Sequence, residues 1–557
     1  MTVNAVKREI PDYIEGYGKV RHFEGAFARK PEGRIAGAKL RCFNNDRANK
    51  VAPSLKDAIR ASGLKSGMTI SFHHHLRNGD YVVNMVLDAC AELGIKDLTL
   101  FPTALFGVHK KVIDHIKSGV VTKIMGSVNG PIGQLVSEGG MGVPVVLRSH
   151  GGRPRAVMAG DVHIDVAFIA APTADCCGNI CGTIGKSACG SLGYAYTDAD
   201  YADTVIAVTD NLVAYPAAPV SIPQTKADIV VEVPSIGDPA GIVSGTTKVT
   251  RDPLRLLISK YAAQLIEASP YFKDGISFQT GAGGIPLAVT AFMKQAMIRK
   301  GIKGGFGLGG ITGYFVELLK EGLLGKLMDV QSFDLDAVRS IAENPNHIEI
   351  SADWYANPWN CGAAVNMLDV VILGATEVDT DFNANVNTEA DGALLHGTGG
   401  HQDTAAGAKL TIIAQPLLRG RIPCVTDKVY SVTTPGEVID AIVTEYGITI
   451  NPRRKDLLDA VSEVKGLPVV PMDELAARAR KMSGPTDPVA TTDRIVGVVE
   501  WRDGTVIERR KTAEKITPPN KRSVTQKAPR KGGAFCLTSL NRPSRRASGV
   551  RPRAPPP

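Results

Sequence analysis

Residues 165–179, DVAFIAAPTADCCGN, are repeated with variation at residues 369–383, DVVILGATEVDTDFN, and five of the fifteen aligned residues are identical. Each stretch begins with an apolar run that is typical of a buried strand and ends in a polar loop. The second stretch carries Glu377 where the first carries Thr173. Because a charge beside a core strand is costly unless something stabilises it, Glu377 is the first candidate for a functional residue.

Two further matches lie on nearly the same diagonal as this pair, whose offset is 204 residues. MTISFHHH at 68–75 matches DGISFQTG at 274–281 at an offset of 206, and GIK at 94–96 matches GIK at 301–303 at an offset of 207. Three matches in the same order indicate two tandem copies of one domain of about 200 residues.

Each copy predicts a strand, a helix and a second strand. The predicted elements are strand 69–72, helix 81–93 and strand 98–101 in the first copy, and strand 276–280, helix 286–298 and strand 305–308 in the second. The helical segments carry apolar residues at helical spacing, and Pro286 suits a first helical turn. This spacing predicts an α/β protein with two tandem open, mainly parallel-sheet domains, whose ligands bind beyond the carboxyl ends of the strands.

We expect four segments along the chain. They are an N-terminal lead-in over 1–50, a first α/β domain over 51–270, a second α/β domain over 271–508 that carries Glu377, and a tail over 509–557. The tail has 14 Lys and Arg residues against one acidic residue, whereas the remainder has 50 basic and 55 acidic residues. The basic, Pro- and Ser-rich tail is predicted to be disordered, and a nucleic-acid-binding arm is the alternative.

The composition bounds the class of protein. Apolar residues make up 44% and charged residues 22% of the 557 residues, which is enough to form a sizeable core. No apolar run approaches the length of about 18 residues that a membrane span needs, and the start does not resemble a signal peptide. Nine cysteines in such a chain are typical of reduced thiols. We therefore expect a cytoplasmic protein that binds neither membranes nor nucleic acid.

Several apparent motifs do not fit their patterns. Gly185-Lys186-Ser187 lacks the upstream glycine of a phosphate loop, since Ile180 stands there, and the match of GFGLGG at 305–310 to a dinucleotide fingerprint follows only a weak strand. His73–His75 are interpreted as polar lining of a site. Four cysteines lack zinc-ligand spacing and are interpreted as small core residues, so no metal is predicted; they are Cys176, Cys177, Cys181 and Cys189.

Three glycine clusters carry more weight. They lie in the second copy at 280–284 (TGAGG), 304–310 (GGFGLGG) and 397–403 (GTGGHQD). Glycine lets backbone N–H groups approach a ligand closely, so such loops can bind an oxyanion, although ordinary turn chemistry is the alternative. The predicted contacts to an oxyanion or thioester are Gly281, Gly283, Gly284, Gly399, Gly400, His401 and Asp403. Since these clusters and Glu377 lie in the same copy, we expect that copy to carry the chemistry. The alternative for Glu377 is a structural role, as a helix cap or in an ion pair.

Four segments together resemble one family. They are SFQTGAGGIPLAVT at 277–290, GGFGLGGITGYF at 304–315, NPWNCGAAVNMLDVVILGATEVDTDFNANVN at 357–387 and LLHGTGGHQDTAAGAKLTIIAQP at 394–416. These segments, and the chain from about residue 10 to about 508, resemble the alpha subunit of citrate lyase, its citrate:acyl-carrier-protein transferase component. More distantly, the chain resembles the coenzyme A transferase superfamily, whose two tandem α/β domains agree with the internal duplication.

The resemblance implies a reaction and its partners. Acetyl-S-carrier and citrate would give citryl-S-carrier and acetate, and a beta (lyase) subunit would cleave the citryl thioester. A gamma (acyl carrier) subunit would bring the thiol on a coenzyme-A-like phosphoribosyl-dephospho-CoA group, so no cofactor is expected in this chain and a hetero-oligomer is expected. The resemblance implies two roles for Glu377: a nucleophile that forms an acyl anhydride, or a residue that orients the substrate or the carrier.

Citrate is a trianion and needs cations, since arginine can hold a carboxylate bidentately. The candidates from the sequence are Arg148, Arg153, Arg155 and Lys226, with surface solvation as their alternative role. Two other kinds of function are left open by the residues. One is a free coenzyme A transferase or acyl-CoA hydrolase, and the other is a ligand-sensing domain of the same fold without catalysis.

Overall fold

The computed structural model describes residues 1–31, 49–243, 249–281, 283–464, 466–484 and 489–513. Residues Met1–Glu514 form one compact unit. The predicted tail beyond residue 513 lies outside the described residues. No helix in these ranges is long and apolar enough to cross a membrane.

The first half of the chain builds a sheet of seven strands, all parallel. In spatial order the strands are Val51–Ala52, Ile229–Glu232, Thr204–Thr209, Val166–Ala171, Thr69–Phe72, Leu98–Pro102 and Val121–Ile124. The α-helices of this half are Leu55–Ala61, Val82–Glu92, Val112–Lys117, Gly130–Ser137, Gly152–Met158 and Ala195–Tyr201. The central strands are buried along their length, as expected of a parallel sheet covered on both faces.

The second half builds a sheet of eight strands, parallel except for the last pair. In spatial order the strands are His347–Glu349, Leu324–Ser332, Gly304–Ile311, Phe278–Thr280, Val370–Leu373, Leu410–Ala414, Ala441–Thr444 and Gly447–Ile450. The α-helices of this half are Pro253–Ala268, Gly284–Lys300, Gly313–Lys320, Leu335–Glu343, Ala352–Ala356, His401–Gly407, Lys455–Ser462 and Met472–Ser483.

The two sheets confirm the predicted duplication and the α/β fold class. In each sheet the first strand of the predicted βαβ unit, Thr69–Phe72 or Phe278–Thr280, lies between the second strand of that unit and the strand of the repeated segment. The predicted helix 286–298 is observed as Gly284–Lys300, and it ends at Gly301, whose φ of 67° is the left-handed conformation favoured by glycine at helix ends.

Each half also has the same small three-stranded sheet after its repeated strand. In the first half, Thr173–Asp175 pairs with Ile180–Cys181 and Leu212–Val213, and in the second half, Glu377–Asp379 pairs with Ala384–Asn385 and Val425–Thr426. Thr173 faces Cys181 and Glu377 faces Asn385 across antiparallel pairs in the same register. Thr173 and Glu377 are therefore equivalent positions of the two copies.

The chain ends change the predicted segment boundaries. The hairpin of strands Thr491–Glu500 and Val506–Ala513 pairs with Val145–Leu147, so residues 491–508 add to the first half and not to the second. The same hairpin continues past residue 508, where the tail was predicted to begin. Composition misses this because the basic residues Arg509, Arg510 and Lys511 of the strand resemble the start of a basic tail. The predicted lead-in packs on this hairpin through Ile10, Ile14 and Val20.

Short strands complete the described structure. They are Thr2–Val3 with Glu9–Ile10, Tyr13–Ile14 with Gly18–Lys19, Ala104–Leu105 with Ser127–Val128, and Leu418–Arg419 with Ile422–Pro423.

Candidate active site

A cavity of about 600 Å³ lies at the carboxyl ends of the central strands of both sheets. Its walls come from both copies. The first half contributes His74, Arg77, Ala104, Phe106, Ser127, Asn129, His150 and Tyr194, and the second half contributes the loops that follow strands Phe278–Thr280 and Val370–Leu373 and the segment 395–401. The ends of the strands of both sheets therefore face one shared cavity, and the first half contributes to its wall as well as the second half, which carries Glu377 and the glycine clusters.

The charge of the cavity wall is positive. Arg77 and Arg419 line it, and no aspartate or glutamate does so among the described residues. The Arg77 guanidinium lies 4.6 Å from the Phe333 ring centroid and 5.7 Å from that of Phe106, and Arg77 has a left-handed backbone (φ 53°). Arg419 donates a hydrogen bond to the Ala375 carbonyl. A site with cations and no carboxylates suits an anionic ligand.

Stacked rings form the wall of the first half. The Tyr194 ring lies 4.9 Å from that of His74 and 4.7 Å from that of His150. Burial lowers the pKa of His150 to about 4, so it is neutral at pH 7. His73 lies outside the cavity lining, 3.5 Å from Asp198. Of the predicted histidine lining, the structure brings His74 to the cavity and leaves its two neighbours in sequence buried behind it.

Two histidines of the second half have assignable tautomers. His401 Nε2 lies 3.1 Å from the Gly374 carbonyl and Nδ1 lies 2.7 Å from the Thr434 hydroxyl, so Nε2 donates and Nδ1 accepts. Burial lowers the pKa of His401 to about 4. His396 Nδ1 donates to the Gly397 carbonyl at 2.8 Å, which leaves Nε2 of its neutral ring as an acceptor in the cavity.

The predicted glycine contacts divide into two groups. Gly281, Gly399 and Gly400 line the cavity, whereas Gly283 and Gly284 begin the helix behind it. The Gly281 N–H donates to the Ile372 carbonyl at 2.8 Å, so it is not available to an oxyanion. The N–H groups of Gly399 and Gly400 donate to no other described residue. Of the predicted glycine contacts that line the cavity, these two therefore have amides that can donate to an oxyanion.

Asp403 does not line the cavity. Its carboxylate accepts hydrogen bonds from the Gly151 N–H at 2.8 Å and the Ser149 hydroxyl at 2.9 Å, so it ties the second half to the first. Burial raises its pKa, and the charge of Arg502 opposes that rise. Its predicted role as a ligand contact is corrected to a structural one, because the polar partners that it satisfies lie about 250 residues away in sequence.

Glu377 is 7% exposed, so its carboxylate does not face bulk water. Its Oε2 accepts hydrogen bonds from the Asn385 amide and from the Tyr430 N–H, each at 3.0 Å. Burial raises its pKa, although these bonds and the charge of Arg419 oppose the rise. The preceding residue, Thr376, lines the cavity and Glu377 does not. The carboxylate thus lies directly behind the cavity wall.

The predicted citrate cations do not line the cavity. Arg148 forms a bidentate pair with Glu500 at 2.7 and 2.8 Å, and Arg153 pairs with Asp198 through two bonds of 2.7 Å. The other two pairs are Arg155 with Asp161 and Lys226 with Asp200. All four cations are therefore held in ion pairs, and only the partner of Arg155, six residues away, is close in sequence.

Sequence reasoning missed the two arginines that do line the cavity. A signal for Arg77 existed, because HHHLRNGD at 73–80 occupies the place of the glycine loop in the other copy. Arg419 lies on a short hairpin with no such signal. Within the described ranges, one group has metal-ligand spacing, His163 with Asp165 and Asp203, and it lies outside the cavity lining.

Comparison with known proteins first gives the class. The 4-hydroxybutyrate coenzyme A transferase of Clostridium kluyveri is 29% identical over 212 residues, which cover 34% of this chain and 46% of that protein. Two related parallel sheets with an electropositive cavity between their strand ends define the class as a two-domain α/β protein, which over part of its length is similar to that coenzyme A transferase.

The particular family follows from longer matches. The family described as "Citrate lyase, alpha subunit" matches residues 48–512. The citrate lyase alpha chain of Klebsiella pneumoniae is 50% identical over 463 residues, 83% of this chain and 91% of that protein. The putative alpha subunit of citrate lyase from Streptococcus mutans, solved in complex with citrate, has a TM-score of 0.88 at 48% identity and covers 92% of this chain and 100% of its own. This chain belongs to the citrate lyase alpha-subunit family, which confirms the resemblance and the transferase class.

Proposed function

We propose that this chain exchanges acetyl for citryl on a carrier thiol, converting acetyl-S-carrier and citrate into citryl-S-carrier and acetate. It works in the cytoplasm within a citrate lyase complex that also contains a beta (lyase) and a gamma (carrier) subunit. The observation that carries this proposal is the cavity, which has arginines from both halves and no described carboxylate in its wall, in a chain of the citrate lyase alpha-subunit family.

Citrate binds between Arg77 and Arg419. A guanidinium pairs with a carboxylate through two parallel hydrogen bonds, so two arginines, one from each half of the chain, fix the orientation of a tricarboxylate. The volume of about 600 Å³ is typical of small-molecule sites and leaves room for a thioester beside citrate. The Nε2 atom of His396 accepts a hydrogen bond from the citrate hydroxyl, because its neutral ring has an acceptor there.

The exchange needs no net proton transfer. A citrate carboxylate oxygen attacks the acetyl thioester carbon, and the resulting oxyanion accepts hydrogen bonds from the N–H groups of Gly399 and Gly400. Collapse breaks the C–S bond and gives a citryl–acetyl anhydride and the carrier thiolate. The thiolate then attacks the citryl carbonyl, and acetate leaves. Preorganised amides of this kind contribute about 10²–10³ in rate, and holding both reactants together contributes an effective molarity of about 10⁵ M or more.

Glu377 acts as a positioning residue in this route. Its carboxylate holds the Asn385 amide and the Tyr430 N–H directly behind the wall formed by Ala375 and Thr376. It therefore fixes the strand Glu377–Asp379 against the segments that carry Asn385 and Tyr430, and so holds the adjoining cavity wall in place. The carrier brings its thiol in trans on the phosphoribosyl-dephospho-CoA group.

An acyl-exchange assay tests the proposal. Purified chain is incubated with acetylated carrier subunit and labelled citrate, and label on the carrier is measured after gel separation. We expect label on the carrier and release of one acetate per citryl group. The same chain with acetyl-CoA, citrate and no carrier should show much slower exchange.

Two results would contradict the proposal. One is citrate binding without any label on the carrier, which is the behaviour of a ligand-sensing domain. The other is hydrolysis of the acetyl thioester without citryl transfer, which is the behaviour of an acyl-CoA hydrolase. Borohydride added to chain preincubated with acyl carrier should leave Glu377 unmodified, since only an enzyme thioester at that residue would be reduced to an alcohol.

A further inference from the structure

A second cavity, of about 470 Å³, lies between the N-terminal segment and the C-terminal hairpin. We call it the basic pocket. Six of its lining residues are cationic and two, Glu9 and Glu508, are acidic. The cations are Lys7, Arg8, Lys428, Arg509, Arg510 and Lys511. Such an excess of one sign in a concave site raises the local concentration of anions.

Part of this charge is neutralised within the chain. Arg8 Nε lies 3.0 Å from Glu508, Lys7 lies 2.8 Å from Asp381, and Lys511 lies 3.0 Å from Asp493. Lys428 and Arg509, in contrast, form no ion pair with a described residue. The cations of the pocket without an ion pair in the described part of the chain are therefore Lys428 and Arg509, whereas Arg510 lies within the field of Glu508 and Asp391.

Arg510 is the buried member of this group, at 2% exposed. Its guanidinium donates to the Gly392 carbonyl and interacts with the Tyr430 hydroxyl, while its Nε and Nη1 atoms have no partner at hydrogen-bond distance within the described part of the chain. The Ser431 hydroxyl, on the same wall, is also buried without a partner. Because a buried donor left unsatisfied costs about 1–3 kcal/mol, two such groups on one wall indicate that a ligand with several acceptor oxygens satisfies them.

The basic pocket adjoins the site described above through one strand. Tyr430 lines the basic pocket, and its N–H donates to Glu377 Oε2 at 3.0 Å. The residue before Glu377, Thr376, lines the first cavity. A ligand in the basic pocket is therefore separated from the citrate cavity by the strand that carries Glu377.

We propose that the basic pocket binds phosphate groups, those of the coenzyme-A-like arm that delivers the thioester. This inference rests on the proposed function. Phosphates match the site because each carries up to two charges and three acceptor oxygens, which Arg and Lys side chains bind strongly. Free phosphate or a nucleotide offers the same chemistry, so the test separates these sources.

Binding to the purified full chain is measured by isothermal titration calorimetry. The probes are coenzyme A, pantetheine (which lacks the phosphates), ADP and pyrophosphate, with citrate and polyglutamate as non-phosphate polyanions. The variant is Lys428→Ala with Arg509→Ala, both chosen because neither side chain is fully buried. The matched control is Lys320→Ala, an exposed lysine at the end of a helix outside the basic pocket.

We expect coenzyme A to bind at least tenfold more tightly than pantetheine. The double variant should lose about tenfold in affinity for coenzyme A and none for pantetheine, while Lys320→Ala matches the wild type. Affinity should fall as salt rises from 50 to 300 mM, because screening weakens a charge-driven interaction. Tighter binding of coenzyme A than of ADP or pyrophosphate identifies the thioester arm as the occupant.

Three outcomes overturn the inference. They are equal affinity for coenzyme A and pantetheine, unchanged affinity in the double variant, and binding of polyglutamate or citrate in preference to every phosphate. The last result would assign the pocket to an acidic protein surface or to a carboxylate. ADP or pyrophosphate binding as tightly as coenzyme A would overturn the assignment to the arm and leave a free phosphate or nucleotide as the ligand.

The acyl-exchange assay distinguishes failure of this inference from failure of the proposed function. If the wild type exchanges acyl groups but coenzyme A binding ignores Lys428 and Arg509, the inference alone fails. If the double variant weakens coenzyme A binding but the wild type shows no exchange, the pocket stands and the proposed function fails.

Discussion

Thr173 and Glu377 occupy the same position in two copies of one small sheet, and they satisfy their surroundings differently. The Thr173 hydroxyl donates to the Ile184 carbonyl at 2.7 Å and accepts from the Asn211 amide at 2.8 Å, so it closes the loops of its own copy. The Glu377 carboxylate accepts hydrogen bonds from the Asn385 amide and the Tyr430 N–H of its own copy, and the charge of Arg419 favours its ionised form. The two copies share this scaffold, and the side chain at this position is a hydroxyl that joins two loops in one copy and a buried carboxylate behind a cavity wall in the other.

The loops that follow these strands did not diverge in the same way. Asp175 accepts hydrogen bonds from the N–H groups of Cys177 and Asn179, and Asp379 accepts them from those of Asp381 and Asn383. Both aspartates therefore serve as the same turn-forming residue. Asp379 therefore has a structural role, although it lies two residues from Glu377. The position at which the copies differ, Thr173 in one and Glu377 in the other, is the better indicator of a residue involved in the chemistry.

The largest expected effect comes from substituting Glu377, the residue at which the second copy differs from Thr173 of the first. Glu377→Ala should reduce acyl exchange by about 10²–10³, because a misplaced cavity wall of this kind costs about 10²-fold or more. Glu377→Gln should retain at least a tenth of wild-type activity, since its amide oxygen can accept both hydrogen bonds that Oε2 accepts. The acyl-exchange assay measures both, and thermal unfolding reports whether each variant folds.

The matched control in the other copy is Thr173→Ala, which should leave exchange within about twofold of the wild type. Complete loss of activity in Glu377→Gln would instead identify the carboxylate as a nucleophile. Wild-type activity in Glu377→Ala would remove Glu377 from the site.

The comparison also shows what the sequence could predict. Internal repetition gave the fold class and the equivalence of Thr173 and Glu377, because strands of a duplicated sheet retain apolar runs at a fixed offset. It could not give the ion pairs of Arg148 and Arg153, since their carboxylates come from distant segments. It also could not give Arg77 as a cavity residue, because glycine loops are visible in sequence whereas the approach of Arg77 from the other sheet depends on packing.

The next largest effect concerns the two cavity arginines, one from each half of the chain. Arg419→Ala and Arg77→Asn should each raise the KM for citrate by about 10–100-fold with a smaller change in kcat, because each removes a bidentate carboxylate contact. Asparagine is chosen at residue 77 because it tolerates the left-handed backbone there. Steady-state exchange at varied citrate measures both constants.

Arg421→Ala is the control, since Arg421 is exposed and does not line the cavity. If Arg77→Asn behaves like this control while Arg419→Ala does not, citrate contacts one half only, and the shared site is disproved.

A smaller effect compares the histidines of the two walls. Burial lowers the pKa of both His150 and His401 to about 4, below the value of about 6.5 in an unfolded chain. Between pH 6.5 and 4 the unfolded chain binds more protons at these residues than the folded chain. The free energy of unfolding should therefore fall with decreasing pH in that window, by about 1–3 kcal/mol per histidine.

Urea unfolding at pH 7.0, 6.0 and 5.0 measures this loss. His401→Gln should reduce the drop between pH 7.0 and 5.0, whereas His163→Gln, at an exposed histidine, should not. An identical pH dependence in the wild type and His401→Gln would mean that His401 is not buried neutral.

The smallest effect concerns the feature that the two copies share, the turn aspartates Asp175 and Asp379. Burial raises the pKa of Asp175, but hydrogen bonds from Ala217 and Asn179 outweigh it and leave the pKa below its usual value, whereas the pKa of Asp379 is raised by burial despite similar bonds. A depressed pKa means that the ionised Asp175 stabilises the fold above pH 4 and that this stability is lost as pH falls further.

Asp175→Asn should therefore lower the free energy of unfolding at pH 7 by about 1–2 kcal/mol, from lost hydrogen bonds to a charged group. Asp379→Asn should cost less, because its ionised form is held less favourably, and it should keep acyl exchange within about threefold of the wild type. A larger loss of exchange than of stability in Asp379→Asn would show that the second copy had diverged at its turn as well as at Glu377.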